Sequence, residues 1–246
     1  MVYVEGGSFN MGSNSGEDNG KPIHKVKLNS FYIGKYEVTQ KEYNEIMGND
    51  SYSFLRKFKG DNLPVETVNI IDGAIKYCNE KSKIEGLPVA YTKYSELIDI
   101  YGIKTTDTTK VKGYRLPTEA EWEFAAKGGN KSKGYTYSGS NNPNEVGWNY
   151  ENSDKKTHKV GLKKPNELGI YDMSGNVSEW CTDRWDKDFY SKSPSNNPYN
   201  MASSEYKSVR GGSWDDLEDG FNVSTRGRWS VFTSNSNIGF RIARTP

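Results

Sequence analysis

The segment from Arg210 to Ile242, RGGSWDDLEDGFNVSTRGRWSVFTSNSNIGFRI, constrains the fold more than any other part of the chain. Its ends, Arg210-Gly211-Gly212-Ser213-Trp214 and Ile238-Gly239-Phe240-Arg241-Ile242, read as strand ends punctuated by glycine. Between them, Asp215 to Asn237 alternates small polar residues with isolated bulky ones. This is the pattern of loops carried on a rigid frame.

Several other stretches read as structured. Val2 to Phe9 is an edge strand turning through glycines into a polar loop, Asn14 to Lys21, and His24 to Leu28 alternates with Val26 and Leu28 on one face. Phe31-Tyr32-Ile33 continues as a strand. Thr39 with Glu42 forms a capping box, beside which Val38 and Tyr43 fit a hydrophobic staple, so a helix starts there with Tyr43, Ile46 and Met47 as its buried stripe. Ile71, Ala74, Ile75 and Cys78 share a helical face behind Asp72 as cap. Thr118 and Glu121 repeat the capping box, and Gly128-Gly129 ends that helix. Asn49 to Asp61 reads as a surface loop, 94–112 as an insertion, and Asn130 to Pro165 as irregular surface structure.

Composition narrows the function classes. Hydrophobic residues make up only 33% and aromatics 13% of 246 residues, so the core leans on Trp and Tyr, whose polar tips need partners. A formal charge of +1 with no basic run argues against nucleic acid or an anionic membrane as partner. No apolar run is long enough to span a bilayer. The two cysteines, Cys78 and Cys181, sit among apolar neighbours and read as small buried hydrophobes rather than a bridge or a reactive thiol. GxSxG, a P-loop and HExxH are absent.

The framing motifs RGGSW and GFRIA, together with VEGGSFNMGS, YRLPTEAEWEFAAKGG and GIYDMSGNVSEWCTDRW, resemble the formylglycine-generating-enzyme (sulfatase-modifying factor) family, a branch of the C-type lectin fold. They run in family order through nearly the whole chain. The resemblance implies an α+β fold with short strands, a few capped helices and many loops, in one domain over 1–246. In relatives the GNVxEW stretch lends oxygens to a structural calcium, which makes Asn176, the Val177 carbonyl and Glu179 candidate ligands. The alternative is that Asn176 and Glu179 satisfy backbone groups in a buried turn; no cofactor is required on either reading. A second calcium site is poorly supplied, since Asn144 to Val160 holds one aspartate, Asp154.

Family oxidases place two cysteines shortly after RGGS, where thiolates bind copper. Counted from RGGS, those places fall here at Asp216 and Phe221, which can do neither the binding nor the attack. The related sulfoxide synthases hold iron with three histidines, and this chain has two, His24 and His158. The expectation is therefore a scaffold without catalytic reagents.

In their place stand Asp215, Asp216, Leu217, Asp219, Gly220, Phe221, Gly227, Arg228, Trp229, Ser230, Phe232 and Ser234, the composition of a binding surface in which small polar residues adapt and aromatics with Arg anchor. Phe221 is open to a core role as readily as a surface one, whereas Trp229, flanked by Arg228 and Ser230, is expected to be exposed. The same residues resemble the variable proteins of diversity-generating retroelements, of the treponemal type, whose C-terminal variable region, here 210–242, lies between RGGSW and NIGFR. Asparagine-type template codons yield Asp, Ser, Gly, Leu, Phe and Asn; Trp229 needs an arginine-type codon. This resemblance implies a monomeric, non-catalytic binder of a protein ligand; the alternatives are a cysteine oxidase of the formylglycine-generating type and a constant lectin-like or structural binding module. It also implies display at the cell surface through an N-terminal lipid anchor that this chain lacks.

Overall fold

The computed structural model describes residues 1–14, 18–48 and 52–246; parts of the two N-terminal loops expected from the sequence lie outside them. Strands Val2–Val4 (β1), Gly7–Met11 (β2), His24–Leu28 (β3) and Phe31–Ile33 (β4) precede helix Gln40–Met47 (α1). A π-helical turn over Ile70–Ile75 runs into Lys76–Ile84 (α2), and Glu119–Ala126 forms α3. Ser178–Arg184 (β5), Tyr206–Arg210 (β6), Gly227–Ser230 (β7), Ile238–Gly239 (β8) and Ala243–Arg244 (β9) complete the chain. The N-terminal edge strand expected over Val2 to Phe9 is thus two strands, β1 and β2.

The helix starts follow the capping chemistry. Thr39 accepts from the Glu42 N–H and Glu42 reaches back to Thr39 N, and Thr118 and Glu121 do the same for α3. At the second helix the cap is Asn69, whose side chain accepts from Asp72 N, and not Asp72 itself. The π turn explains the shift: Ala74 N bonds back to the Asn69 carbonyl, so winding begins earlier than an α-helical reading of the spacing allows. Gly128, at φ +91°, ends the α3 region in the left-handed conformation that glycine adopts at little cost.

Among the described residues three sheets form, in orders β1-β4-β9, β2-β3 and β7-β6-β5-β8. In the first, β4 pairs antiparallel with both β1 and β9 and so lies between the first and last strands. In the last, β8 runs parallel to β5, pairing Ser178 with Ile238 and Glu179 with Gly239. Among the described residues two large apolar clusters and a small third one fill the interior. One large cluster gathers Tyr43, Tyr77, Trp180, Val209, Ile238 and Phe240; the other packs α3, through Trp122 and Phe124, against Val26, Leu28, Phe31 and Ile33. Two of the buried indoles find acceptors, Trp180 donating to the Val68 carbonyl at 3.2 Å and Trp122 to Glu179 at 2.8 Å, whereas the buried Nε1 of Trp185 has no partner among the described residues.

The stretch expected to be irregular surface, Asn130 to Pro165, is irregular but only partly surface. Tyr137, Val146, Asn149, Ser153 and Thr157 are buried, because this stretch covers one side of the C-terminal loops. No helix among the described residues is long and apolar enough to cross a membrane.

Candidate ligand-binding face

The C-terminal frame is interior. Arg210, Trp214, Gly239 and Phe240 are buried, and Gly211 and Gly212 adopt φ +91° and +61°. A Cβ on Gly212 would come within 2.5 Å of Phe221 Cβ, so glycine is needed there for space as well as for backbone angle. Trp214 donates its indole N–H to the Ser236 carbonyl at 3.0 Å, tying the two ends of the loop region together.

Arg210 reaches from β6 to α3, donating to Glu119 at 2.9 Å and Glu123 at 2.7 Å. Arg226, which sequence reasoning passed over, joins them: its Nε donates to Glu119 at 2.6 Å, and its guanidinium lies over Tyr190 and Trp185. Burial alone would raise the Glu119 pKa, but the charges and hydrogen bonds of Arg226 and Arg210, with a bond from Ser208, reverse this and hold it at about 2. The signal for Arg226 was present in the alternation Arg226, Arg228: both guanidiniums lie over Trp185, as strand period dictates.

On this frame Asp215, Leu217, Asp219, Arg228 and Phe232 are exposed, Phe232 at 79% and Leu217 at 62%. Asp216, Gly220, Gly227, Ser230 and Ser234 are half-buried. Asp216, Gly220, Gly227, Arg228 and Trp229 come together around a cleft of about 240 Å³, whereas Asp215, Leu217, Phe232 and Ser234 lie outside its lining.

Two site residues need correction. Phe221 has no exposure; its ring lies 5.1 Å from that of Tyr137 in a small cluster with Val146, and it belongs to the packing beneath the loops. Trp229 is half-buried and packs against the main core rather than standing clear of it. Strand alternation is the reason, because Trp229 is in phase with buried Val231 while Arg228 points the other way.

The loop after Trp214 is strongly acidic. Asp216 is turned inward, its Oδ2 accepting from Ser213 N at 2.8 Å and Ser213 Oγ at 2.7 Å. Among the described residues neither it nor Asp215, Glu218 or Asp219 has a basic ion-pair partner. Burial first, and then the Glu218 and Asp219 charges, raise the pKa of neighbouring Tyr137.

In the GNVSEW stretch the side-chain oxygens of Asn176 and Glu179 are taken by protein partners. Asn176 Oδ1 accepts from His158 N at 2.9 Å, and its amide nitrogen donates to Glu37 at 2.6 Å. Both Glu179 oxygens accept from Arg241 at 2.6 Å, so a guanidinium supplies the positive charge there. Glu37 and Asp172 share the surroundings; burial and then carboxylate repulsion push Glu37 well up, and burial first puts Asp172 at about 6. No group of three or more His, Cys, Asp or Glu among the described residues is placed to hold a metal. Cys78 and Cys181 are free and fully buried, and burial pushes both thiols up, away from the thiolate that metal binding or attack requires.

A frame of RGGSW and GFRIA strands carrying polar loops, with α3 locked against it by buried ion pairs, defines a class. The chain belongs to the sulfatase-modifying factor enzyme 1-like family, whose model matches residues 1–246, and it has the formylglycine-generating-enzyme form of the C-type lectin fold. Among solved structures it is similar to Treponema denticola variable protein 1, with a TM-score of 0.84 and 32% identity over 100% of this chain and 95% of that one. Among curated proteins it is 38% identical to chaperone protein LppX of Paenibacillus barcinonensis, over 100% of this chain and 89% of the relative. It is 32% identical to serine/threonine-protein kinase pkn1 of Chlamydia pneumoniae over 99% of this chain, but spans only 38% of that protein's length.

Proposed function

We propose that this chain is a non-catalytic binding protein that presents a diversified C-terminal surface to protein ligands. The observation that carries this reading is the separation of frame from face. Arg210 to Trp214 and Gly239-Phe240 are interior, while Asp215, Leu217, Asp219 and Phe232 project from the intervening loops and Arg228 from β7. Positions open to substitution without loss of fold have to be of the second kind, because a close-packed interior feels even one methylene. The likeness to a variable protein supports the diversified surface, and the name of the Paenibacillus relative, a chaperone protein, agrees with a protein ligand. Display outside the cytoplasm through a lipid anchor is part of this reading, as the resemblance to the variable proteins implies. Against catalysis stand Asp216 and Phe221 at the positions that the resemblance assigns to thiols: the carboxylate is held by Ser213 and the ring is buried.

The test is a displayed library randomised at Asp215, Leu217, Asp219, Arg228, Ser230, Phe232 and Ser234. Most members are expected to fold, since exposed substitutions change stability by about half a kcal/mol or less each. Selection against unrelated proteins such as lysozyme and streptavidin is expected to yield specific binders. A library that is mostly unfolded, or a folded one without binders, overturns the reading. So does an aldehyde product found by mass spectrometry in a cysteine-containing sulfatase peptide.

A further inference from the structure

We infer that the open edge of β7 accepts an extended, lysine- or arginine-bearing segment of the ligand as an added antiparallel strand. This rests on the binding-face reading above and specifies how that face holds its partner. In the order β7-β6-β5-β8, β7 is outermost and is paired on one side only. Its register shows which backbone groups point outward. Ser230 lies opposite Tyr206, and one position further on Val231 N donates to the Glu205 carbonyl at 3.0 Å. Antiparallel pairs alternate between bonded and non-bonded, so Trp229 and Gly227 face β6, and the backbones of Arg228 and Ser230 face away. The Tyr206 carbonyl agrees, since it accepts from Trp185 N at 2.9 Å rather than from β7. Ser230 O accepts from Thr233 N at 2.9 Å. That leaves the Arg228 N–H and C=O and the Ser230 N–H without a partner among the described residues, at the two-residue spacing that an incoming strand pairs with.

A short, charged edge strand can serve only to discourage unwanted pairing. Two further observations point to an occupant. The cleft of about 240 Å³ lies against β7, bordered by Asp216, Gly220, Arg228 and Trp229, and offers space for a side chain of the added strand. The loop across that cleft carries Asp215, Asp216, Glu218 and Asp219, none of which has a basic ion-pair partner among the described residues, so it favours a positively charged side chain. Arg228 does not cancel this field at the cleft. Its guanidinium lies over Tyr206 at 5.2 Å and Trp185 at 5.9 Å, on the strand face opposite Trp229.

The experiment uses the full chain and a pool of short blocked peptides with a central lysine and β-forming flanks, at physiological salt. Controls are a pool with glutamate in place of the lysine and one N-methylated at alternate residues. Binding is followed by fluorescence anisotropy, and exchange of individual amides by NMR. The lysine pool is expected to bind and to slow exchange at Arg228 and Ser230 by about tenfold or more, which corresponds to about 1.4 kcal/mol. The glutamate and N-methylated pools are expected to bind at least about tenfold more weakly. Arg228→Pro is expected to weaken binding at least about tenfold more than Arg228→Ala, because alanine removes only the side chain whereas proline also removes the outward N–H, at a place where an edge strand tolerates it. Should Arg228→Pro fail to fold, amide protection in the unaltered protein still decides. Binding with no protection at these amides, or equal loss in the two variants, overturns strand addition while leaving the binding face intact. No binding by the lysine pool, or preference for glutamate, also overturns it. The face reading fails separately, through the displayed library.

Discussion

Phe221 and Phe232 are the same amino acid in opposite environments, and composition alone could not separate them. Phe221 is sealed between Tyr137, Val146 and the Gly212 backbone, whereas Phe232 stands free at a loop tip. Phe221→Ala is therefore expected to cost about 3–5 kcal/mol in chemical denaturation, the range for a large buried aromatic. Phe232→Ala is expected to cost about half a kcal/mol or less. Equal costs would show that the face has been misassigned. Trp229 teaches the same lesson in finer form. Its polar neighbours Arg228 and Ser230 suggested exposure, but in a strand the neighbours that matter are two residues away, and Val231 is buried.

At the scale of elements, α3 and β6 are locked by charge as much as by apolar contact. Glu119 accepts from Arg210, Arg226 and Ser208 in a fully buried setting, and the Arg226 bond draws the approach to β7 into the same network. The depressed Glu119 pKa has a thermodynamic consequence with a definite sign. A carboxyl whose folded value, about 2, lies below its ordinary 4.5 contributes stability that is present above pH 4.5 and lost as pH falls toward 2. Urea unfolding between those limits is expected to show stability falling with pH, and Glu119→Gln is expected to flatten that slope. At neutral pH the variant is expected to lose about 3–5 kcal/mol, because it leaves two buried guanidiniums short of a countercharge. An unchanged slope would place the acid sensitivity elsewhere. The capping boxes of α1 and α3 were legible in the sequence because each is closed by residues three apart. The Asn69 cap was not, because a π turn hid the start of its helix.

For the whole molecule, closure depends on the last residues. β9 pairs with β4, Arg115 exchanges backbone bonds with Ala243, and Arg241 spans Glu179, the Gly34 carbonyl and the Tyr171 carbonyl. Removing Arg241 to Pro246 is expected to abolish cooperative thermal unfolding, read by circular dichroism, since it strips the β4 edge and leaves Glu179 buried without its cation. A cooperative melt close to that of the full chain would contradict this. The sequence by itself determined the fold family, the interior ends of 210–242, the helix starts at Thr39 and Thr118, and the inert placement of both cysteines; the stretch it read as loops between those ends holds strand β7. These rest on local spacing and on motifs whose residues stand close together in the chain. The tertiary structure alone decided that Phe221 and Trp229 turn inward, that Arg226 enters a buried ion network, that Arg241 takes both oxygens of Glu179, and that β7 is left as an open edge. Each of those depends on partners far away in sequence, and burial, charge pairing and strand order exist only once those partners are brought together.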